Sequence, residues 1–446
     1  MPDERLERLM HNPMVRERVV AGPDALPTPP SRPAPRHLLL APHRLAFFAG
    51  TLMLLLSSLA WVAILVAQLA GETVTTVMPP TFLHGMLFAG GFMPLFMAGF
   101  IFTAGPRWLD VPPPTAAALR WPVGLHCAGV ALIVVGARAS HSVTAFGALL
   151  LAMAWTAVGV GFAGQIRSSA ARDKLHAKCV MVFWTVGITC AMLFAAGLAI
   201  RQMSVVAAAL WLMVFGFITP IHATVAHRVL PFFTSNALTR VVPWRPNWAL
   251  GLLLAAMLTF GALQLAGRLQ LVPPRQGAWL TLVTVGPAAA ALAVLALRWG
   301  LMQSLRGPSL RLLAMLHLGF VWAVIALLLA TADAALALLG GEATLRLGLA
   351  PLHSLTMGFL GGLLFAMATR VICGHGGIPV VADGYVWTLF WVLQVAVLLR
   401  VVASVWPLYS AVLSAAAALT WCGVWIAWAA RYLPVLARPR RDGRPG

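Results

Sequence analysis

Eight histidines lie within or at the ends of long apolar stretches: His84, His126, His176, His222, His227, His317, His353 and His375. Carboxylates are almost absent from the interiors of the same stretches. Neutral imidazole brings no net charge into an apolar medium, yet its ring nitrogens bind iron and copper. Buried histidines without buried acids point to haem or metal ligation, and argue against a transporter driven through membrane carboxylates. The plain alternative is a hydrogen bond between helices, the ordinary role of a lone intramembrane histidine. Spacing refines the choice. His353 and Met357 are four apart and share a helix face, and Met86 follows His84 closely. A thioether beside an imidazole suits copper(I), whereas Met93 and Met97 read as packing. His222 and His227 are about 140° apart around a helix, so they serve different neighbours. The five cysteines form no CxxC pair and no CxxCH. A disulfide framework is therefore not expected, and any haem would be noncovalent and b-type.

The elements that must position these residues are membrane helices. Of 446 residues, 61% are hydrophobic and 10% charged, with a mean hydropathy of +0.88. A soluble chain needs more charge to cover its surface. Apolar runs of about 20 residues occur near 46–69, 80–104, 118–137, 142–164, 176–199, 203–229, 248–267, 277–297, 309–330, 348–371, 386–403 and 409–432. Such segments must be helical, because lipid offers an open strand edge no partner. The expected fold is all-α, a polytopic bundle of about twelve transmembrane helices. Pro94 and Pro220 are expected to distort their helices. Gly85, Gly90, Gly91, Gly99, Gly358, Gly361 and Gly362 leave room for either a close helix or a flat macrocycle.

The net charge of +19 is explained by orientation rather than by nucleic acid. With a cytoplasmic N-terminus, 25 of the 31 Lys and Arg fall on the cytoplasmic side, leaving only Arg138, Arg201, Arg268, Arg275, Arg346 and Arg400 opposite. This bias places both termini inside, facing anionic lipid. His84 and His353 then sit one turn inside the outer ends of their helices, and the other six in the inner half. Residues 1–42, rich in Arg and Pro, read as a disordered cytoplasmic tail. Residues 43–432 form the membrane domain, and 433–446 a basic cytoplasmic tail.

Several stretches carry a family resemblance. They are Pro42-His43-Arg44-Leu45, His84-Gly85-Met86-Leu87-Phe88 with Ala104-Gly105-Pro106-Arg107-Trp108, Ala226-His227-Arg228-Val229-Leu230-Pro231, His317-Leu318-Gly319-Phe320, and His353-Ser354-Leu355-Thr356-Met357-Gly358 continuing to Gly374-His375-Gly376-Gly377. In this combination and order the chain resembles the NnrS family of bacterial membrane proteins associated with nitric oxide stress. The resemblance implies a twelve-span protein of the bacterial inner membrane that contains haem and copper. It also departs from the pattern: where the family's second span begins His-Ala-His-Glu-Met, this chain has Phe82-Leu83-His84-Gly85-Met86, and Arg107 replaces an asparagine. A metal-ligating histidine and its acidic neighbour are thus missing.

The leading expectation is a haem b protein of nitric oxide tolerance or denitrification, with copper as a second metal and nitric oxide as ligand. His84 and His353 are the outer ligands, with Met357 beside them as a metal ligand. His222, His227 and His317 are the inner candidates. A permease for a small solute or metal complex and a quinol-linked redox enzyme are the competing classes.

Overall fold

The computed structural model describes residues 33–238, 243–340 and 345–442. Twelve helices are long and apolar enough to cross a membrane, and no strand occurs among the described residues. They are α1 Pro42–Leu69, α2 Pro80–Leu109, α3 Ala116–Gly136, α4 His141–Ser168, α5 Leu175–Ala199, α6 Met203–Ala237, α7 Asn247–Arg268, α8 Pro274–Arg298, α9 Pro308–Leu339, α10 Ala350–Gly376, α11 Gly384–Val405 and α12 Pro407–Leu436. Each corresponds to one of the expected spans.

Sequence neighbours pack together around most of the bundle, and α12 returns to lie against α1. The middle is made by α2, α9 and α10. Of their most apolar windows, 83%, 72% and 72% are buried by protein, against 22% for α1. Val160, Val182 and Val294, within α4, α5 and α8, remain exposed, as expected where lipid replaces protein as the apolar neighbour.

Three helices widen locally into π turns: Leu87–Phe92 in α2, Met213–Ile218 in α6 and Ser354–Gly361 in α10. The first two lie just ahead of Pro94 and Pro220. A proline lacks the N–H that the preceding turn needs, and its ring crowds the carbonyl four residues back. Widening that turn relieves the clash and leaves carbonyls for other donors. Ser57 Oγ donates to the Leu87 carbonyl at 3.2 Å, and His126 Nε2 to that of Gly91 at 2.8 Å. Trp155 Nε1 donates to the other ring nitrogen of His126 at 3.1 Å. Both nitrogens of this buried imidazole are therefore used, and it acts as a strut between α2, α3 and α4. His126→Ala would strand the Gly91 carbonyl and the Trp155 N–H, at about 1–3 kcal/mol per unsatisfied group. A lowered thermal midpoint with unchanged cofactor content is the expected result in detergent-purified protein.

The glycines of α2 and α10 serve close packing. A Cβ on Gly99 would fall 2.7 Å from Phe47, one on Gly358 2.4 Å from Trp322, and one on Gly361 2.7 Å from Trp421. Each is filled by an aromatic ring of a neighbouring helix, which answers the open choice between close packing and a macrocycle slot at these positions.

The two chain ends share one face. The Ala34 N–H and His37 Nδ1 both donate to the Ala437 carbonyl at 2.9 Å. Pro35–Leu39 form a short 3-10 helix, and α12 runs to Leu436, one turn beyond residue 432. The expected loose tails thus contain ordered chain from residue 33 and up to residue 442, because each end supplies backbone partners to the other. The remainder of those tails, 1–32 and 443–446, lies outside the described residues. On the same face Asp383 caps α11 through the Val386 N–H, and its carboxylate accepts from Arg431 at 2.6 Å. That guanidinium, and the cap, hold the Asp383 carboxyl below the usual carboxylate range.

Candidate functional site

Opposite the termini face, the first turns of α2 and α10 carry His84 and His353. The His84 ring stacks on Trp61 of α1, with centroids 4.2 Å apart and planes 21° apart, and meets Phe88 at 4.5 Å. His84 Nδ1 is buried with no hydrogen-bond partner. His353 is buried, and its Nδ1 lies 3.0 Å from the Leu349 carbonyl. A carbonyl only accepts, so Nδ1 carries the proton and Nε2 keeps its lone pair. A backbone carbonyl holding one imidazole nitrogen so that the other is free is the usual support for a metal-binding histidine.

The two imidazoles lie within electrostatic reach of each other and of Arg400 on α11. Arg400 donates to Ser404 Oγ at 2.8 Å. Two further buried polar atoms near the pair lack partners: Ser354 Oγ, beside His353, and Trp421 Nε1, whose ring faces Phe88 at 6.3 Å. Met357 is half-buried and packs against the apolar core. Its i, i+4 relation to His353 now runs through π turns, whose i→i+5 bonding changes the angle between the two side chains.

The remaining histidines divide among separate surroundings. His222 Nδ1 donates to the Ile218 carbonyl at 2.9 Å, leaving Nε2 free. The ring borders an apolar cavity shared with Phe47, Phe96, Met97, Phe100 and Met367. His227 is fully engaged: Nε2 donates to the Pro246 carbonyl at 3.1 Å, so its Nδ1 accepts from His176 Nε2 at 2.9 Å. The free lone pair is thereby passed to His176 Nδ1, which is buried without a partner. His317 Nε2 meets Thr234 Oγ1 at 2.9 Å. That hydroxyl spends its one proton on the Leu230 carbonyl, so His317 donates and its buried Nδ1 is left free. His222, His227 and His317 thus have three different sets of partners.

Among the described residues, no group of three or more His, Cys, Asp or Glu side chains is arranged to hold a metal ion. A copper(II) site with several nitrogen or carboxylate donors does not fit. At the end of the bundle opposite the termini, His84 Nδ1 and His353 Nε2 are the imidazole nitrogens left without a protein partner.

Residue types alone did not single out Trp61 or Arg400. Arg400 carried a readable signal, a charge inside an apolar run. His43 also had one: Pro42 directly before it favours the first position of a helix.

Fold and site define a class: a twelve-helix membrane protein with an unsatisfied imidazole pair near one end of its central helices. The sequence pattern of the NnrS protein family matches residues 37–440. The chain belongs to the NnrS family. Among curated proteins, no sequence matches it.

Proposed function

We propose that this protein is an inner-membrane haem protein of nitric oxide tolerance, with both termini cytoplasmic and its haem b held by His84 and His353. The observation that carries the reading is that His84 and His353, each one turn inside its helix at the same end of the bundle, both keep a ring nitrogen without a protein partner. A haem held by one of the two imidazoles would keep an open position for nitric oxide, chemistry that needs no acid–base pair; with both bound, nitric oxide would have to displace one of them. The chain supplies the surroundings. Leu349 fixes the His353 tautomer, Trp61 and Phe88 shield His84 from water, and Arg400 offers a positive charge to an acidic edge of a bound group. Copper(I) is the alternative occupant of the same two imidazoles: they bring no third nitrogen donor for copper(II), and the Met357 thioether is the soft donor nearest in sequence.

The test is an absorbance spectrum of purified protein expressed with ample haem, together with metal analysis. A Soret band whose pigment extracts fully into acid–acetone is expected. Haem retained on the polypeptide, or no haem at all, would overturn the reading. A second reading, a small-solute permease, draws on the distorted turns in α2 and α6, since transporters bind substrate at interrupted helices. A haem-free, well-folded protein would favour it. Orientation is checked separately. Reporter fusions after Ser304 should read cytoplasmic and those after Gly341 periplasmic; the opposite pattern contradicts the topology.

A further inference from the structure

The termini face holds a second unsatisfied cluster, made of residues that the haem reading does not use. His43 and Arg44 stand in the first turn of α1, and both are 1% exposed. The Arg44 guanidinium donates to backbone carbonyls alone: Leu436 at 3.1 Å, Arg438, and His375 at 3.2 Å. Carbonyls orient a guanidinium without neutralising it. Arg44 Nε and His43 Nδ1 are both buried and without partners. The half-buried ring of His375, in the last turn of α10, lies 4.4 Å from that of His43.

Among the described residues, the charged groups that act on both rings are arginines. Arg44, Arg107 and Arg440 all act on both rings. Arg107 is exposed at the end of α2, and Arg440 pairs with Asp442 at 2.6 Å. The start of α1 adds the positive end of a helix dipole, with no acidic residue in its first turn. A metal cation would be repelled here. Among the described residues no carboxylate meets Arg44; a buried guanidinium held by carbonyls alone is costly, and an anion with several acceptor oxygens would relieve it.

We propose that His43, Arg44, Arg107 and His375 form a binding site for a phosphate group. Arginine forks and imidazole N–H groups match the acceptor oxygens of phosphate. Inorganic phosphate and the headgroup of an acidic phospholipid share this chemistry, and the site stands independently of any haem at His84 and His353.

The full chain, reconstituted in nanodiscs of phosphatidylcholine, is titrated with sodium phosphate against sodium chloride at equal ionic strength. Thermal unfolding is followed by tryptophan fluorescence. A second preparation contains phosphatidylglycerol and no free phosphate. A saturable rise in midpoint with phosphate assigns the free ion. A rise with phosphatidylglycerol that added phosphate cannot increase assigns the lipid. In either case, Arg107→Ala and His375→Gln should each weaken the response about tenfold or more, the loss of one charge-assisted hydrogen bond. Their midpoints in phosphatidylcholine and chloride should match the parent. The site is refuted if neither phosphate nor phosphatidylglycerol stabilises the parent protein, or if both variants respond as it does.

Discussion

His353→Ala should abolish most of the haem absorbance of the purified protein, and His84→Ala should do the same. The expectation rests on how the His353 ring is held. Its Nδ1 proton is committed to the Leu349 carbonyl, so Nε2 is presented with its lone pair in the one neutral tautomer that this bond permits. His84 offers a buried Nδ1 with nothing to accept it. Removing either imidazole removes one of the two donors that the proposed site has, and Arg400 cannot replace it, since guanidinium has no lone pair to give. Met357→Leu should cost much less if the metal is iron, because leucine keeps the volume while deleting only the sulfur. If the two rings merely joined helices, each alanine variant would lose roughly 0.6 to 2 kcal/mol of stability and keep its cofactor. Pyridine haemochrome and copper analyses on the folded double variant decide the matter. Unchanged stoichiometry there would sink the assignment.

Gly358→Ala should be among the most destabilising small substitutions in the bundle. Its new Cβ would lie 2.4 Å from Trp322 Cγ and 2.7 Å from Trp322 Cβ. Those atoms sit at the root of the side chain, so the ring cannot swing clear without moving α9. Trp322 is also tied by its Nε1 to Gln394 Oε1 on α11 at 2.7 Å. Overpacking costs about 1–3 kcal/mol, and a broken buried hydrogen bond adds about 1–3 kcal/mol. Gly358 stands in the π segment that follows His353, so the strain reaches the imidazole, and haem occupancy should fall together with thermal stability. Gly124→Ala is the control. A Cβ there meets nothing within 4 Å, and alanine favours the helix, so its midpoint should equal or exceed the parent's. A Gly358→Ala protein as stable as the parent would show that α9 and α10 do not approach as closely as described.

The number, place and helical nature of the spans were legible from the amino-acid order alone. Each depends on a local quantity, the apolar length needed to cross lipid, and such a quantity is readable one segment at a time. The shared depth of His84 and His353 was legible too, since each stands one turn from the start of its own helix. The π turns over Ser354–Gly361, between His353 and the rest of α10, were not, because no local pattern of residues marks the change from i→i+4 to i→i+5 bonding there.

The fate of each inner histidine was decided only by tertiary structure. His126, His227 and His317 are the same residue type in similarly apolar helices. One has both nitrogens used by Gly91 and Trp155, one hands its lone pair to His176, and one keeps a free Nδ1 beside Thr234. His43 and His375, far apart in sequence, meet because the chain ends close on one face. The physical reason is the short range of hydrogen bonds. Hydrophobic run length determines where a helix lies, but whether an imidazole is free to bind depends on which donor or acceptor stands about 3 Å away, and that partner comes from another helix or another turn.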